Sequence, residues 1–448
     1  MKKNSCLIML LSFLMLISIT ACGGGGDVSN NSIGNSPSES DQSADKAMVV
    51  VSLGSTNAPY STNETGGFST LDSSVPADVS SVRLTQPVVQ NIPLDGTEVV
   101  LELNAQTGVR FEAIAYNSYN DKLYSAQQIV DLLAGETTTI DFTLQPLNLR
   151  QYIQNSGNYL SFSESSLYGF KSPHVFYNGS TYTIFYSYYD NVETKWCLGR
   201  STSTDKITWT GHTKVLAPDE STDFTKIEAG QIHKIEETST PVYKMWYTTA
   251  EEENGDTVLS YVDWSGLSTW PSVTDTPTTS RTHLNITGAN PCVFYNASAT
   301  PKYKMWYDDG ANIYYTTSSD GTTWSSSSLT SFTGTSRLAL ANWDSNGTIQ
   351  PNVGWDNQYS CWKMLYIGRD ENSKTHVGFA TSTDGINWQR ASINPLLDVV
   401  STSSPTIWQE DGIDSICTLN DSTYDANDLV WFTGRQGSNY QIGFINPR

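Results

Sequence analysis

The second two-thirds of the chain is a succession of short apolar or alternating runs, each closed by Gly, Asp, Asn or Ser. In one such stretch Asn290-Pro291-Cys292-Val293-Phe294-Tyr295 is an apolar run, and Tyr303-Lys304-Met305-Trp306-Tyr307 alternates. Asp308-Asp309-Gly310 then turns, Ile313-Tyr314-Tyr315-Thr316-Thr317 forms a third β-rich run, and Ser318-Ser319-Asp320-Gly321 turns again before Thr323-Trp324 opens a fourth. A two-residue period bounded by turn residues predicts strands, and no 3.6-residue apolar period argues for a helical solenoid.

The unit repeats. Aromatic pairs begin at Phe185, Trp246, Trp306 and Trp431, with Leu365-Tyr366 in the same slot, so the steps are 61, 60, 59 and 66 residues. Ser203-Thr204-Asp205 running to Trp209 and Ser382-Thr383-Asp384-Gly385 running to Trp388 match the turn at Ser318, and Asp263 to Trp270 is a looser copy. Five four-stranded units predict an all-β fold, a five-bladed β-propeller over 148–448. The last copy has sequence for only three strands, which predicts closure by a segment near Leu147 to Leu160.

Ahead of the ring, Met1-Lys2-Lys3 and the apolar run Leu7 to Ile19 have the form of a secretory signal rather than a membrane span. Residues 23 to 46 are mostly Gly, Ser, Asn and Asp, too polar to bury a core. Strand signals around Val79 to Leu84, Glu98 to Leu103, Val109 to Tyr116 and Thr137 to Leu144 predict a small β-sandwich over 47–147. Ile19-Thr20-Ala21-Cys22 resembles the bacterial lipobox, which implies cleavage after residue 21, acylation of Cys22 and a flexible tether over 22–46. Gly23 at the following position implies the outer membrane within that pattern, so the expected location is the cell envelope. The runs Val75 to Leu84, Arg110 to Ala113 and Ala134 to Thr139 resemble the Ig-like domain of bacterial lipoproteins, whose simplest role is a spacer.

The formal charge of −21 disfavours a nucleic-acid partner, which requires clustered Lys and Arg. Only 16% of residues are charged while Tyr and Trp are abundant, a composition suited to neutral hydroxyl-rich ligands and equally to any aromatic-rich β-fold. Cys197, Cys292, Cys361 and Cys417 have no metal-ligand spacing and read as buried small apolar residues, with a disulfide open in an oxidising compartment.

Blades that open on Pro-x-Val-Phe-Tyr and close on Ser-x-Asp-Gly-x-x-Trp resemble the propeller glycosidases of families 43, 32 and 68, over roughly residues 150 to 448. The resemblance implies carboxylates at the starts of the innermost strands, one acting as acid and another as base or nucleophile. The family's first-blade Asp is Ser172 here, and the matching places hold Ala229 preceded by Glu228, then Asn290, then Gln350, with Ile413-Asp414 ambiguous in the fifth. Glu228 is the one catalytic candidate, and a solvated carboxylate between blades is its plainer reading. His174, Gln231, His233 and Asn352 join Ser172, Asn290 and Gln350 as expected pocket lining, with Asp308, Arg369 and Asp370 offered by loops after second strands. Scattered histidines fit a polar lining better than a metal, so neither metal nor cofactor is expected. Three functions stay open: a carbohydrate-binding lipoprotein lacking the usual acids, an active glycosidase with rewired acids, and an interaction or adhesion scaffold.

Overall fold

The computed structural model describes residues 45–53, 75–147, 160, 167–177, 180–218, 226–235, 241–250, 256–278, 281–334, 342–397, 412–419 and 430–445. These contain strands, turns and no α-helix. The lipobox, Cys22 and the tether up to residue 44 lie outside the described residues, as do 148–159, where the closing segment was expected; Lys46, placed in the tether, instead opens a strand.

Five antiparallel modules follow one another. Their inner strands are Leu167–Tyr177, Lys226–Ile235, Ala289–Tyr295, Thr348–Asp356 and Gly412–Thr418. Each pairs with the strand bearing the aromatic pair, and that strand pairs with a third: Lys195–Ser203, Thr257–Ser265, Ile313–Ser318, Thr375–Ser382 and Asn439–Ile445. The first four modules carry a fourth strand and the fifth shows three among the described residues. In the third module Trp324 makes only an isolated bridge to Ser318, and regular pairing resumes at Ser328–Leu329 rather than at Thr323.

The same departure from regular pairing recurs in every inner strand, and it explains the Pro motif. Register breaks fall between Gln231 and Glu228, Cys292 and Ala289, and Asn352 and Ile349, with counterparts near Ser172 and Asp414. Ser172, Asn290 and Gln350 sit in these bulges at φ 54°, 54° and 56°, each just before a proline. A bulge of this kind turns one backbone N–H out of its own ladder. That group donates to the preceding module: Asn290 N to Thr248 Oγ1 at 3.0 Å, Gln350 N to Asp308 Oδ2 at 2.9 Å, and Ser172 N to Thr433 Oγ1 at 3.0 Å. The last bond joins the first module to the fifth by the device that joins the second to the third. The modules therefore form a closed, propeller-like ring. In the second module Gly230 occupies the proline slot because a Cβ there would lie 1.9 Å from the Trp246 carbonyl oxygen.

A second staple accounts for the aromatic slot in the second and third modules, whereas the buried Nε1 of Trp431 in the fifth has no such partner among the described residues. Trp246 Nε1 donates to Gly321 O, and Trp306 Nε1 to Gly385 O, each at 2.7 Å and each into the Ser-x-Asp-Gly turn of the next module. Phe185 and Leu365 fill the slot where the next module lacks a regular turn of that kind. The turns hold themselves: Asp320 accepts from Thr322 N and Thr323 N, and Asp384 from Ile386 N and Asn387 N. Leu160 is buried with Phe170, Trp431 and Phe444 at the junction of the first and fifth modules.

N-terminal to the ring, Lys46–Leu53 lies between Val99–Asn104 and Thr137–Phe142 in one sheet. A second sheet orders Gln90–Ile92, Ser81–Gln86, Gln106–Tyr116, Lys122–Leu132 and Gln145–Pro146. Val49, Val51 and Phe142 of the first sheet share a buried cluster with Leu84, Phe111 and Ala113 of the second. Lys122–Leu132 escapes sequence reading because its outer face is mostly polar, Ser125, Gln127 and Asp131 beside the exposed Ile129, all alternating with buried or half-buried neighbours. This part touches the fourth module through Lys363, whose ammonium lies 2.5 Å from Asp121 and 2.8 Å from Asp356, and through Tyr124 Oη at 2.6 Å from Ser392 Oγ.

Candidate functional site

The five inner strands enclose one axial cavity of about 50 Å³. Ser172, His174, Gln231, Asn290, Gln350 and Asn352 all line it, with Cys292 and Cys417 beside them. Strand alternation brings them together: residues opposite the first member of the aromatic pair, His174, Gln231, Cys292, Asn352 and Cys417, fall at one level of the ring. The cavity has room for a few waters and not for a sugar ring.

Its side chains are largely engaged by groups of the next module. Gln231 Oε1 accepts from Val293 N, and Asn352 Oδ1 accepts from Thr418 N at 3.2 Å and from Thr418 Oγ1 at 3.1 Å. Cys292 Sγ accepts from Val353 N at 3.2 Å. Burial, reinforced by the charge on His233, pushes His174 down to about 3, and burial pushes His233 down to about 4 against a 2.9 Å hydrogen bond to Val293 O. Both imidazoles are neutral at pH 7. His233 lies outside the cavity lining, facing the third module. No group of three His, Cys, Asp or Glu among the described residues could hold a metal, and the four described cysteines are buried free thiols.

Asp308, Arg369 and Asp370 stand at the same end as the inner-strand starts but do not line the cavity. Asp308 is buried and accepts from Asn290 Nδ2 at 2.8 Å, Gly310 N at 3.0 Å and Gln350 N, so it fastens the third module to the fourth. Burial raises its carboxyl to about 6, and these donors restrain the rise. Asp370 accepts from Asn372 N and Lys374 N, both at 2.8 Å, as a turn former, and Arg369 donates to Gly310 O at 3.2 Å.

At the mouth formed by the inner-strand starts, charge gathers on the first, second and fifth modules. Lys171 and Glu228 occupy equivalent register positions on neighbouring inner strands, which is why they meet. Glu228 Oε1 lies 2.6 Å from Lys171 Nζ and 2.8 Å from Lys226 Nζ. Burial alone would raise the Glu228 carboxyl, but the two ammonium groups outweigh it and bring the group down to about 2. Glu228 is thus a permanent carboxylate at neutral pH: it can act as a base, nucleophile or charge stabiliser but holds no proton to donate. Asp414, paired with Arg435 Nε at 3.1 Å, moves the other way: burial raises it, with the Glu228 charge adding to the rise and Arg435 and Lys171 opposing it.

Aromatic rings frame these charges. Lys171 Nζ sits 4.1 Å from the centroid of Trp196 and 5.1 Å from that of Tyr440. Tyr440 and Trp196 meet edge to face at 6.2 Å, Tyr189 and Trp196 at 5.7 Å, and Tyr168, 46% exposed, extends the group toward solvent. Lys171, Lys226, Trp196 and Tyr440 escaped the sequence reading. The one available signal was positional: Lys171 precedes the bulge of its strand as Glu228 precedes that of the next.

No protein-family model and no curated protein matches this chain. Among solved structures it is similar to one described as a glycoside hydrolase, at 15% identity and TM-score 0.47, covering 66% of this chain and 93% of that one. It is likewise similar to the catalytic domain of a family 62 α-L-arabinofuranosidase from Coprinopsis cinerea, at 13% identity, TM-score 0.45 and coverage of 65% and 95%. A family 62 hydrolase in complex with xylotriose aligns at 12% identity, TM-score 0.46 and coverage of 66% and 99%.

Proposed function

We propose that the mouth over the first, second and fifth modules of a five-bladed propeller binds carbohydrate. The observation that carries this reading is the group of Trp196, Tyr440, Tyr189 and Tyr168 set around Lys171, Glu228 and Asp414. A sugar ring presents apolar C–H faces to aromatic rings while its hydroxyls donate to carboxylates and accept from ammonium groups. The axial cavity, at about 50 Å³, anchors the mouth from beneath rather than admitting the ligand. In this reading the N-terminal sheets are a spacer and Cys22 is the lipid anchor of a cell-envelope protein, expected at the outer membrane.

Binding without turnover fits the engagement of both carboxylates by cations. One observation favours the second reading, a glycosidase with rewired acids: Glu228 is held ionised while Asp414 is shifted upward at the same mouth, the division that separates nucleophile from acid. A glycan array followed by calorimetry on the full chain tests the first reading. Binding of a neutral oligosaccharide that weakens at least about tenfold in Trp196→Ala and Tyr440→Ala supports it. No binding across the array moves the protein to the scaffold class. Turnover of arabinan, xylan or fructan substrates that disappears in Asp414→Asn and Glu228→Gln establishes the enzyme instead.

A further inference from the structure

At the other end of the modules lies a larger depression, between the hairpin turns of the third and fourth modules. Its volume is about 390 Å³, within the range that holds a sugar-sized ligand and well above that of the axial cavity. Trp355 and Trp362 form an aromatic corner, ring centroids 4.8 Å apart and planes at 60°, with Phe294 edge-on to Trp362 at 4.9 Å. Lys302 and Lys304 complete the lining on the third-module side. Lys304 is half-buried, and its ammonium lies 3.3 Å from the Tyr315 hydroxyl.

The electrostatic sign of this groove differs from that of the chain. The sequence has 46 acidic against 25 basic residues, yet two ammonium groups border the aromatic corner. Asp384 also lines it, but its carboxylate accepts from Ile386 N, Asn387 N, Asn387 Nδ2 and Ser382 Oγ, all within 3.0 Å, so it holds its own turn. Those bonds keep Asp384 ionised and directed into its own turn, so the lining carries two positive charges against one negative and still favours an anion.

We propose that this groove is a second binding site, specific for the uronic acid units of acidic glycans. The apolar face of the ring would lie on the half-buried Trp355, which the buried Trp362 backs, and its carboxylate would be met by Lys302 and Lys304. The site is separate from the mouth, since its residues come from the ends of the inner strands and the mouth from their starts. It extends the carbohydrate reading of the protein without depending on where the mouth's own ligand binds.

The test is calorimetry on the full chain with a galacturonic acid trisaccharide and with its neutral galactose counterpart, in low and in raised salt. The acidic trisaccharide should bind, weaken as salt rises, and exceed the neutral one by about tenfold. Trp355→Ala and Lys302→Ala/Lys304→Ala should each weaken it by about tenfold or more, while Trp196→Ala at the mouth leaves it unchanged. Trp355→Phe keeps the packing against Trp362, so retained binding there with loss in the lysine pair separates ligand contact from misfolding. Absence of binding, equal affinity for both trisaccharides in Trp196→Ala, where the mouth no longer contributes, or a loss confined to Trp196→Ala would each overturn the proposal. The last outcome would leave the mouth as the glycan site, so the two readings fail separately.

Discussion

Replacing Glu228 by Gln removes the negative charge between Lys171 and Lys226 while keeping the side chain's shape, and leaves two ammonium groups 2.6 and 2.8 Å from a neutral oxygen or amide. The Glu228 side chain is only 17% exposed, so solvent screens the interaction weakly. Its carboxyl falls from 4.5 to about 2 on folding, a coupling on the order of 3 kcal/mol at neutral pH. The sign follows from the depressed value. The contribution is fully present above the unfolded pKa near 4.5 and is lost as pH falls through about 2. Urea denaturation of both proteins at pH 7 should therefore show a gap of roughly 3 kcal/mol, narrowing to roughly 1 kcal/mol at pH 3, where most of the wild-type coupling is already gone. A gap below about 0.5 kcal/mol at pH 7, or one equal at both pH values, would refute the view that the lysines hold Glu228 ionised.

Three further outcomes are expected. Trp306→Phe should lose about 0.5 to 1.5 kcal/mol of stability beyond its smaller ring, read as a lower urea midpoint with unchanged slope, because the Gly385 carbonyl loses the shorter of its two indole donors and keeps only Trp388 Nε1 at 3.2 Å. Burial lifts the Asp308 carboxyl to about 6, so this group's contribution is complete below pH 4 and declines as pH rises through 6; Asp308→Asn should flatten that segment of the stability profile, and a persisting slope would assign it elsewhere. Cys22→Ser should move the protein from the membrane fraction to the soluble one, and sedimentation that survives a high-salt wash would argue against lipid anchoring.

The repeat was legible in the sequence because everything that defines it is local. Strand alternation has a period of two, the Ser-x-Asp-Gly turn is closed by its own Asp and Ser side chains, and the spacing of aromatic pairs measures one module. The same alternation placed Ser172, His174, Gln231, Asn290, Gln350 and Asn352 on one axis, since equivalent positions of equivalent strands must face the same way. What a side chain does once it faces the axis was not local. Asp308 looked like a loop acid, but the αL bulge at Gln350 and the Asn290 side chain bring their donors to it and bury it between modules. The charged mouth depends on ring closure, which sets Asp414, Arg435 and Tyr440 of the last module beside Lys171 and Trp196 of the first. Sequence spacing carries no information about contacts between the ends of a ring. The strand pattern by itself determined the modules and the polar axis, and only tertiary closure decided which charges meet and how far each is shifted, because burial and opposing charge act through space rather than along the chain.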